Sequence, residues 1–555
     1  MIHVDERILF ERNLLALAAI DENLCSRLSA AQTSHEHYRF LESRRGEIIP
    51  AIVQLDGTAR PLHSLVEPHR EALRVVSTVK EGGLLVLFGL GGGYIAEAAL
   101  ERKDVQALIV VDFGIDGIAE LLASKEYVRL FGDSRFRLLI DPDENTLRNI
   151  LYSIYQPALF GGIAVLPLRG RVDADKQKYD LATETIMKTI EGISDDYSVQ
   201  AYFGKRWFAN AIRNILRSET YPKPLAPIRN VAITAAGPSL ELQIPRLRKK
   251  RSELYLLATD TSLPALLAAE LIPDAVISID CQHISYYHFM AGYPAEVPLF
   301  LDLASPPVVA SRSPEPRFFS GGHPLTVYAT RRWRSFPRID TSGGNVSYAA
   351  VSLAETLGAQ NIELYGADFS YPFGEPYARG TYIHPYFQAM QNRISPLEAH
   401  FMHFVFRNDS LKLEREENSW RYETKPLTGY RQKLESLAPT LRANIRAIPG
   451  KGTKLNFPEP KNTQRSALNL FVAGKTIESG RQFLAKYADA IEKLPSMENS
   501  VASYIQALSA DERDVLTTLL PAAAAIRRRS TEADAEKMLK SVKAYCLSEL
   551  HRVLS

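Results

Sequence analysis

Apolar positions recur at helical spacing from Ile8 to Ala30, and a β-rich, irregular stretch follows from Ile48 to Val66. After that the pattern changes. Leu84–Phe88 is a short apolar run that ends in Gly89-Leu90-Gly91-Gly92-Gly93, with helix predicted from Tyr94 to Glu101. Ala107–Val111 is a second apolar run, closed by Asp112, and Phe136–Ile140 and Gly162–Leu166 read as further strands. Strand, glycine turn, helix and strand in that order mark a βαβ unit of a parallel sheet. Asp175–Arg217 is predicted to be mostly helical. The segment Ser218–Pro227 then carries Pro222, Pro224 and Pro227, which neither a helix interior nor a central strand accepts, so a domain boundary is placed there.

Beyond the boundary the alternation starts again. Asn230–Thr234 is followed by the turn Ala235–Ser239, a helix over Leu240–Arg251, and an apolar run Leu254–Thr259 closed by Asp260. In both halves an acid closes the second strand roughly 20 residues after the glycine turn, the spacing of a Rossmann-like nucleotide half-site. Ala275–Ile279, Pro298–Leu301, Leu325–Tyr328 and Ile362–Tyr365 read as strands, and Asn345–Leu357 as a helix. From Ser466 onward the glycine turns stop, and helix formers with periodic apolar residues run through Leu470–Leu519 and Ala533–Leu554. The predicted fold class is α/β, with two Rossmann-like parallel-sheet domains followed by a C-terminal helical domain. The expected segments are 1–75 (helix and β-rich), 76–220 (first Rossmann-like domain), 228–460 (central α/β catalytic domain) and 466–555 (helical).

Composition narrows the function classes. The 555 residues carry 66 Lys and Arg against 64 acids, a net charge of +2, which argues against a nucleic-acid partner. The basic runs Arg246–Arg251 and Arg527–Arg529 read as solvated helix faces. Cys25, Cys281 and Cys546 form no Cys-x-x-Cys pair, which excludes a thiolate zinc site or disulfide framework and fits a reducing compartment. Charges at Asp5, Glu6, Arg7, Glu11 and Arg12 break any signal-peptide core, and no uncharged apolar run approaches the ~20 residues of a membrane span. The expected location is cytoplasmic, with no integral membrane segment.

Ligands of open α/β sheets bind beyond the carboxyl ends of the strands, and several polar or glycine clusters fall there. Gly237-Pro238-Ser239 lets backbone N–H groups approach a phosphate, and Ser239 adds a hydroxyl. Asp260-Thr261-Ser262 follows the second strand and Asp280-Cys281-Gln282 the third. Ser342-Gly343-Gly344-Asn345 precedes a helix, whose N-terminal donors and dipole favour an anion. Gly366-Ala367-Asp368 closes a late strand and leads to Tyr371, Tyr377, Tyr382 and His384. Each cluster also has a purely structural explanation. Ser239 and Asn345 serve equally as helix N-caps, Asp260 and Asp280 as polar strand ends, and the tyrosines as packing aromatics. Together they point to a nucleotide site without naming the nucleotide.

The strings Ala236–Leu240, Asp260–Leu263, Ile272-Pro273-Asp274 through Asp280, Ser342–Asn345, Gly358 and Leu364–Asp368 resemble, in order, the central domain of the Maf motility-associated glycosyltransferases. Leu62-His63-Ser64, Pro68, Glu71-Ala72 and the turn Gly89–Tyr94 are similar to that family's N-terminal region, so the resemblance covers about Leu62 to Leu455. It implies transfer of a nonulosonic acid of the pseudaminic or legionaminic type from its CMP ester to Ser or Thr of flagellin. The central domain also resembles bacterial sialyltransferases that use CMP-sialic acid. On that pattern Gly237, Pro238, Ser239, Asp280, Ser342, Gly343 and Gly344, with Asn345 opening the helix, line the CMP, while Asp260 and Ser262 lie nearer the base or ribose. Tyr371 and Tyr377 would steady the departing phosphate, and His384, or second Asp368, would take the acceptor proton. Where those sialyltransferases carry a tyrosine two residues after the Asp, this chain has Ser370, with Tyr371 next. The donor is a nucleotide sugar, no further cofactor is expected, and with no Asp-x-Asp at a strand end the reaction is expected to be metal-independent.

Three other readings compete. Related central domains occur in archaeal pterin pyrophosphokinases, whose chemistry asks for Mg²⁺ and clustered cations, whereas the central clusters here are rich in Asp and short of Lys. Gly89–Gly93 with Asp112 has the form of a methyltransferase cofactor turn, read here as a scaffold unit. The third is a non-catalytic flagellar assembly or chaperone module.

Overall fold

The computed structural model describes residues 2–31, 36–54, 56–219, 225–407, 410–416, 419–460, 469–476, 478–530 and 534–555. Pro222 and Pro224 of the expected boundary lie outside the described residues. The chain forms two compact units: Met1–Gly204 with Glu492–Tyr545, and Lys205–Ile491 with Cys546–Ser555.

In the first unit, β1 (Tyr38–Glu42), β2 (Ile48–Val53) and β3 (Ala59–Pro61) form a small antiparallel sheet. The expected single helix Ile8–Ala30 is instead two, Ile2–Ala18 and Glu22–Ser29. Asp21 interrupts it by accepting a hydrogen bond from the Leu24 N–H, which caps a new helix start. The main sheet contains β4 (Gly83–Phe88), β5 (Val105–Asp112), β6 (Phe136–Ile140) and β7 (Ile163–Pro167) in the parallel order β6-β5-β4-β7. Every residue of β4 is buried, as a strand covered by helices on both faces requires. The helix Ala510–Arg527 opens with a capping box at Ser509 and Glu512 and packs on Pro157–Phe160, where Arg527 donates to the Ala158 carbonyl.

The second unit is built on a seven-stranded parallel sheet. Its strands are β8 (Asn230–Thr234), β9 (Tyr255–Thr259), β10 (Ala275–Ser278), β11 (Leu299–Asp302), β12 (Arg317–Phe319), β13 (Asn361–Tyr365) and, after three antiparallel strands, β17 (Asn444–Ala447). Those three are β14 (Tyr371–Pro372), β15 (Leu411–Glu416) and β16 (Ser419–Thr424), which pair as β14-β16-β15. The order of the main sheet is β12-β11-β10-β9-β8-β13-β17. The chain therefore steps outward from β8 to β12 and crosses back to β13 on the other side of β8, which opens a crevice between β8 and β13 at their carboxyl ends. The core beneath it is apolar, with Val231, Ile233, Leu257, Ile277, Phe300 and Leu364 buried against the helix Val346–Thr356.

Leu325–Tyr328, expected to be a strand, lies in the helix Pro324–Arg332. Pro324 sets the first-turn φ, and Leu325, Thr326 and Ala329 form the buried stripe of a helix. Helix was expected from Leu470, but it begins at Gly480. The parallel α/β sheets and the C-terminal helical stretch agree with the predicted fold class. Among the described residues no helix is long and apolar enough to cross a membrane.

Candidate functional site

At the crevice, the turn after β8 meets the turn after β13. The Gly237 N–H donates to the Gly366 carbonyl (2.9 Å) and the Ser239 N–H to Asp368 Oδ2 (2.8 Å). A Cβ on Gly237 would stand 2.3 Å from that carboxylate oxygen, so glycine is what allows the approach. Gly366 adopts φ +63°, and a Cβ there would stand 2.4 Å from the Ala235 carbonyl. Ser239 is buried, and its Oγ accepts from the Lys451 N–H (2.6 Å). The carboxylate of Asp368 thus occupies the position where an anion would sit on this turn. The Gly452 N–H also donates to Asp368, yet burial still raises its pKa above the usual carboxylate value. Pro238 turns the chain into the helix Ser239–Lys249. Asp368 therefore acts here as a positioning residue that ties three segments together.

The next two strand ends are similarly knit. Ser262 Oγ donates to the carbonyls of Thr234 and Thr259, binding the turn after β9 to β8. Asp260 is buried; it accepts from Ser278 Oγ (2.6 Å) on one oxygen and from the Thr261 N–H (2.7 Å) on the other. Asp280 accepts from the Gln282 N–H (2.9 Å), and burial, reinforced by the charge of Asp260, raises its pKa. Further along the edge, Asp302 at the end of β11 accepts from the N–H groups of Ala304 and Gly321, and burial raises its pKa to about 6. The Gly321 carbonyl in turn accepts from Thr341 Oγ1 (2.9 Å), at the entrance to Ser342–Asn345.

Asn345 caps the helix Val346–Thr356 by accepting from the Tyr348 N–H (3.0 Å). The Ser342 N–H is used by Asp340 (2.9 Å) and the Gly344 N–H by the Thr341 carbonyl (3.0 Å). The N–H groups of Gly343 and Asn345 have no acceptor among the described residues. These, rather than the amides of Gly237 and Ser239, are the donors available to an anion. A Cβ on Gly344 would touch the ring of Tyr430 at 3.1 Å, and Tyr430 acts electrostatically on Tyr371. Tyr430 thus borders the glycine loop and acts on the Asp368–His384 stretch.

That stretch leaves β13 under backbone strain, with Phe369 and Phe373 at φ +43° and +52°. Tyr371 is buried in β14, and Tyr371 and Tyr377 pack on Phe404 with ring centroids 6.4 and 5.9 Å away. Burial raises the pKa of Tyr371, Tyr377 and Tyr382, keeping all three phenols protonated as hydrogen-bond donors at neutral pH. His384 is half-buried, packs against Phe401 (5.0 Å), and points Nε2 at the Tyr377 carbonyl at 3.4 Å.

Beside these groups opens a cleft of about 730 Å³ whose walls include His283, Tyr287, Tyr382, Tyr386, Phe404 and Arg407. Two residues that sequence reasoning missed stand out. His288 is buried edge-on to Tyr382 (4.7 Å), and its Nδ1 has no hydrogen-bond partner among the described residues. Arg407 lies over Phe404 (3.9 Å). Neither sits at a strand end, so the rule that located the other candidates passed them by.

The first unit repeats the topology with a different outcome. Asp112, at the end of β5, is buried and accepts from the Leu90 N–H (2.8 Å), Arg171 Nε (2.9 Å) and Tyr179 Oη (3.0 Å). The Gly92 N–H donates to His63 Nε2 (2.9 Å), Tyr127 Oη to the Gly91 carbonyl (2.7 Å) and Lys125 Nζ to the Gly92 carbonyl. Burial and the charge of Lys125 push the His63 pKa down to about 3, so the ring is a neutral acceptor. Side chains of the chain itself fill this glycine turn.

Comparison with known proteins adds three findings. Residues 206–374 match the family described as 6-hydroxymethylpterin diphosphokinase MptE-like. Two uncharacterized proteins of Treponema pallidum (strain Nichols) are 37% and 36% identical over 172 and 138 residues, 30% and 24% of this chain. The matches span 61% and 64% of those relatives, less than two thirds of their length. A solved Maf glycosyltransferase from Magnetospirillum magneticum AMB-1 superposes with a TM-score of 0.57 and 14% identity, covering 99% of this chain and 95% of that one. At that identity the likeness speaks for the fold.

Proposed function

We propose that the second unit is a glycosyltransferase that moves a nonulosonic, sialic-acid-like sugar from a CMP-activated donor to Ser or Thr of flagellin in the cytoplasm. The observation that carries this reading is a helix N-terminus with available N–H donors, Gly343 and Asn345, in the same unit as protonated tyrosines and an aromatic cleft, with Tyr430 bordering the first and acting on Tyr371. The fold shared with a Maf glycosyltransferase supports it. In this reading Ser342–Asn345 receive the phosphate at the positive helix end. Gly237, Pro238, Ser239, Asp260, Ser262 and Asp280 form the floor under the nucleotide. Tyr371 and Tyr377 donate to the phosphate as the sugar leaves, stabilising its charge in a partly dry site. His384 takes the acceptor proton, with His288 as the second candidate, and Asp368 keeps the floor in place. The sugar donor is the only small molecule required, and the chemistry needs no metal.

The MptE-like match over residues 206–374 supports a second reading, transfer of a diphosphate from a nucleoside triphosphate to a pterin alcohol. The two readings separate on nucleotide preference. Thermal shift with CMP, CDP, ATP and S-adenosylmethionine should single out CMP, since a ligand at 100 times its Kd stabilises by about 2.7 kcal/mol. His384→Ala should abolish flagellin modification, a loss of roughly 10²–10⁴-fold, with CMP binding intact. Stabilisation by ATP with Mg²⁺ and none by CMP would overturn the glycosyltransferase reading in favour of the second.

A further inference from the structure

The cleft beside the tyrosines has a composition that asks for a particular ligand. Tyr287, Tyr382 and Tyr386 present ring faces and edges, with the Tyr287 and Tyr382 rings stacked at 6.2 Å. Apolar faces of this kind suit a ring compound of moderate size, and about 730 Å³ is within the range of small-molecule sites. Into this wall the helix Leu397–Phe406 delivers Arg407 at its end. The guanidinium carbon lies over the Phe404 ring, 3.9 Å from its centroid, within cation–π distance.

Arg407 has no ion-pair or hydrogen-bond partner among the described residues, and no carboxylate lines the cleft beside it. The charge of Arg407 acts on the phenols of Tyr371, Tyr377 and Tyr382, and Arg407 shares the cleft wall with Tyr382. A cation over an aromatic ring, sharing a wall with Tyr287, Tyr382 and Tyr386 and without a protein anion among the described residues, suits an oxyanion from a ligand whose body is held by the aromatic walls.

We propose that Arg407, with Tyr382 beside it, forms an oxyanion subsite that binds an acidic group of the sugar nucleotide, either the carboxylate of an acidic sugar or the bridging phosphate. This rests on the nucleotide-sugar reading above and deepens it. Both groups present the planar or forked oxygens that a guanidinium edge pairs with in two places, and a lysine at this position would supply only a point charge.

The test measures calorimetric affinities of the full chain and of Arg407→Gln and Arg407→Lys for cytidine, CMP and CMP-N-acetylneuraminate. Arg407 is exposed, so the variants are expected to fold, and unchanged melting temperatures would verify it. In Arg407→Gln the affinity for CMP-N-acetylneuraminate should fall about 10- to 100-fold, the effect of one lost charge-assisted pair, with cytidine unaffected and Arg407→Lys intermediate. A parallel fall for CMP assigns the subsite to the phosphate, and an unchanged CMP affinity assigns it to the sugar carboxylate; both outcomes support the proposal. Unchanged affinity for all ligands in both variants overturns it while leaving the nucleotide reading standing. Failure of the wild-type chain to bind either CMP compound overturns that reading and this inference with it.

Discussion

Asp302→Asn should remove a pH dependence of stability that the wild-type second unit carries. Asp302 is buried at the end of β11 and its pKa is raised from 3.8 to about 6, because burial outweighs the N–H groups of Ala304 and Gly321 that favour the charged form. Above about pH 4 the unfolded chain has released this proton, whereas the folded chain keeps it until about pH 6. Folding therefore takes up a proton in that window, and stability falls as pH rises through it. Two pH units at about 1.4 kcal/mol each give about 3 kcal/mol of stability present at pH 4 and lost by pH 7. Asparagine keeps the shape and one acceptor but cannot titrate. Hydrogen-exchange protection of peptides spanning β10 to β12, followed from pH 4 to 7.5 in both proteins, isolates the local effect. The variant should gain on the wild type by about 3 kcal/mol across the window. A difference between the two proteins that stays constant with pH would refute the reasoning.

Gly237→Ala should destabilise the second unit by about 1–3 kcal/mol, since the new methyl would stand 2.3 Å from Asp368 Oδ2, and the melting temperature checks it. Arg171→Ala leaves the carboxylate of Asp112 buried without its cation and should cost the first unit about 3–5 kcal/mol, read by chemical denaturation. Calorimetry with S-adenosylmethionine should give no binding to the Gly89–Gly93 turn, and micromolar binding abolished by Asp112→Ala would overturn the view that this turn is filled by the chain's own side chains.

Much of the sheet was legible because parallel strands covered on both faces read as unbroken apolar runs. Leu84–Phe88 and the apolar centre Val231–Ile233 each announced a strand in this way. Leu325–Tyr328 misled because four residues are too few to tell a strand's period from a helix's, and Pro324 decided for helix. The candidate clusters could be placed at the carboxyl edge, but their commitments could not be read. Asp368 meets Ser239 across 129 residues of sequence, and nothing local to either announces the bond. Arg407 and His288 escaped notice for a related reason. They are carried by segments between the strands, and only the folding of those segments brings Arg407 to the cleft and His288 against Tyr382.

The filled glycine turn of the first unit has a thermodynamic consequence. His63 and Arg171 hold the Gly92 N–H and the Asp112 carboxylate, groups a diffusible ligand would need, at an effective concentration no metabolite reaches, so that fold element is saturated by its own chain. Its melting should be indifferent to the nucleotide pool. The second unit, if it binds a nucleotide, gains RT ln(1 + [L]/Kd) and its transition moves with supply. A calorimetric scan with rising nucleotide should then pull one transition away from the other, so that the resistant unit becomes an internal thermometer against which occupancy of the other is read.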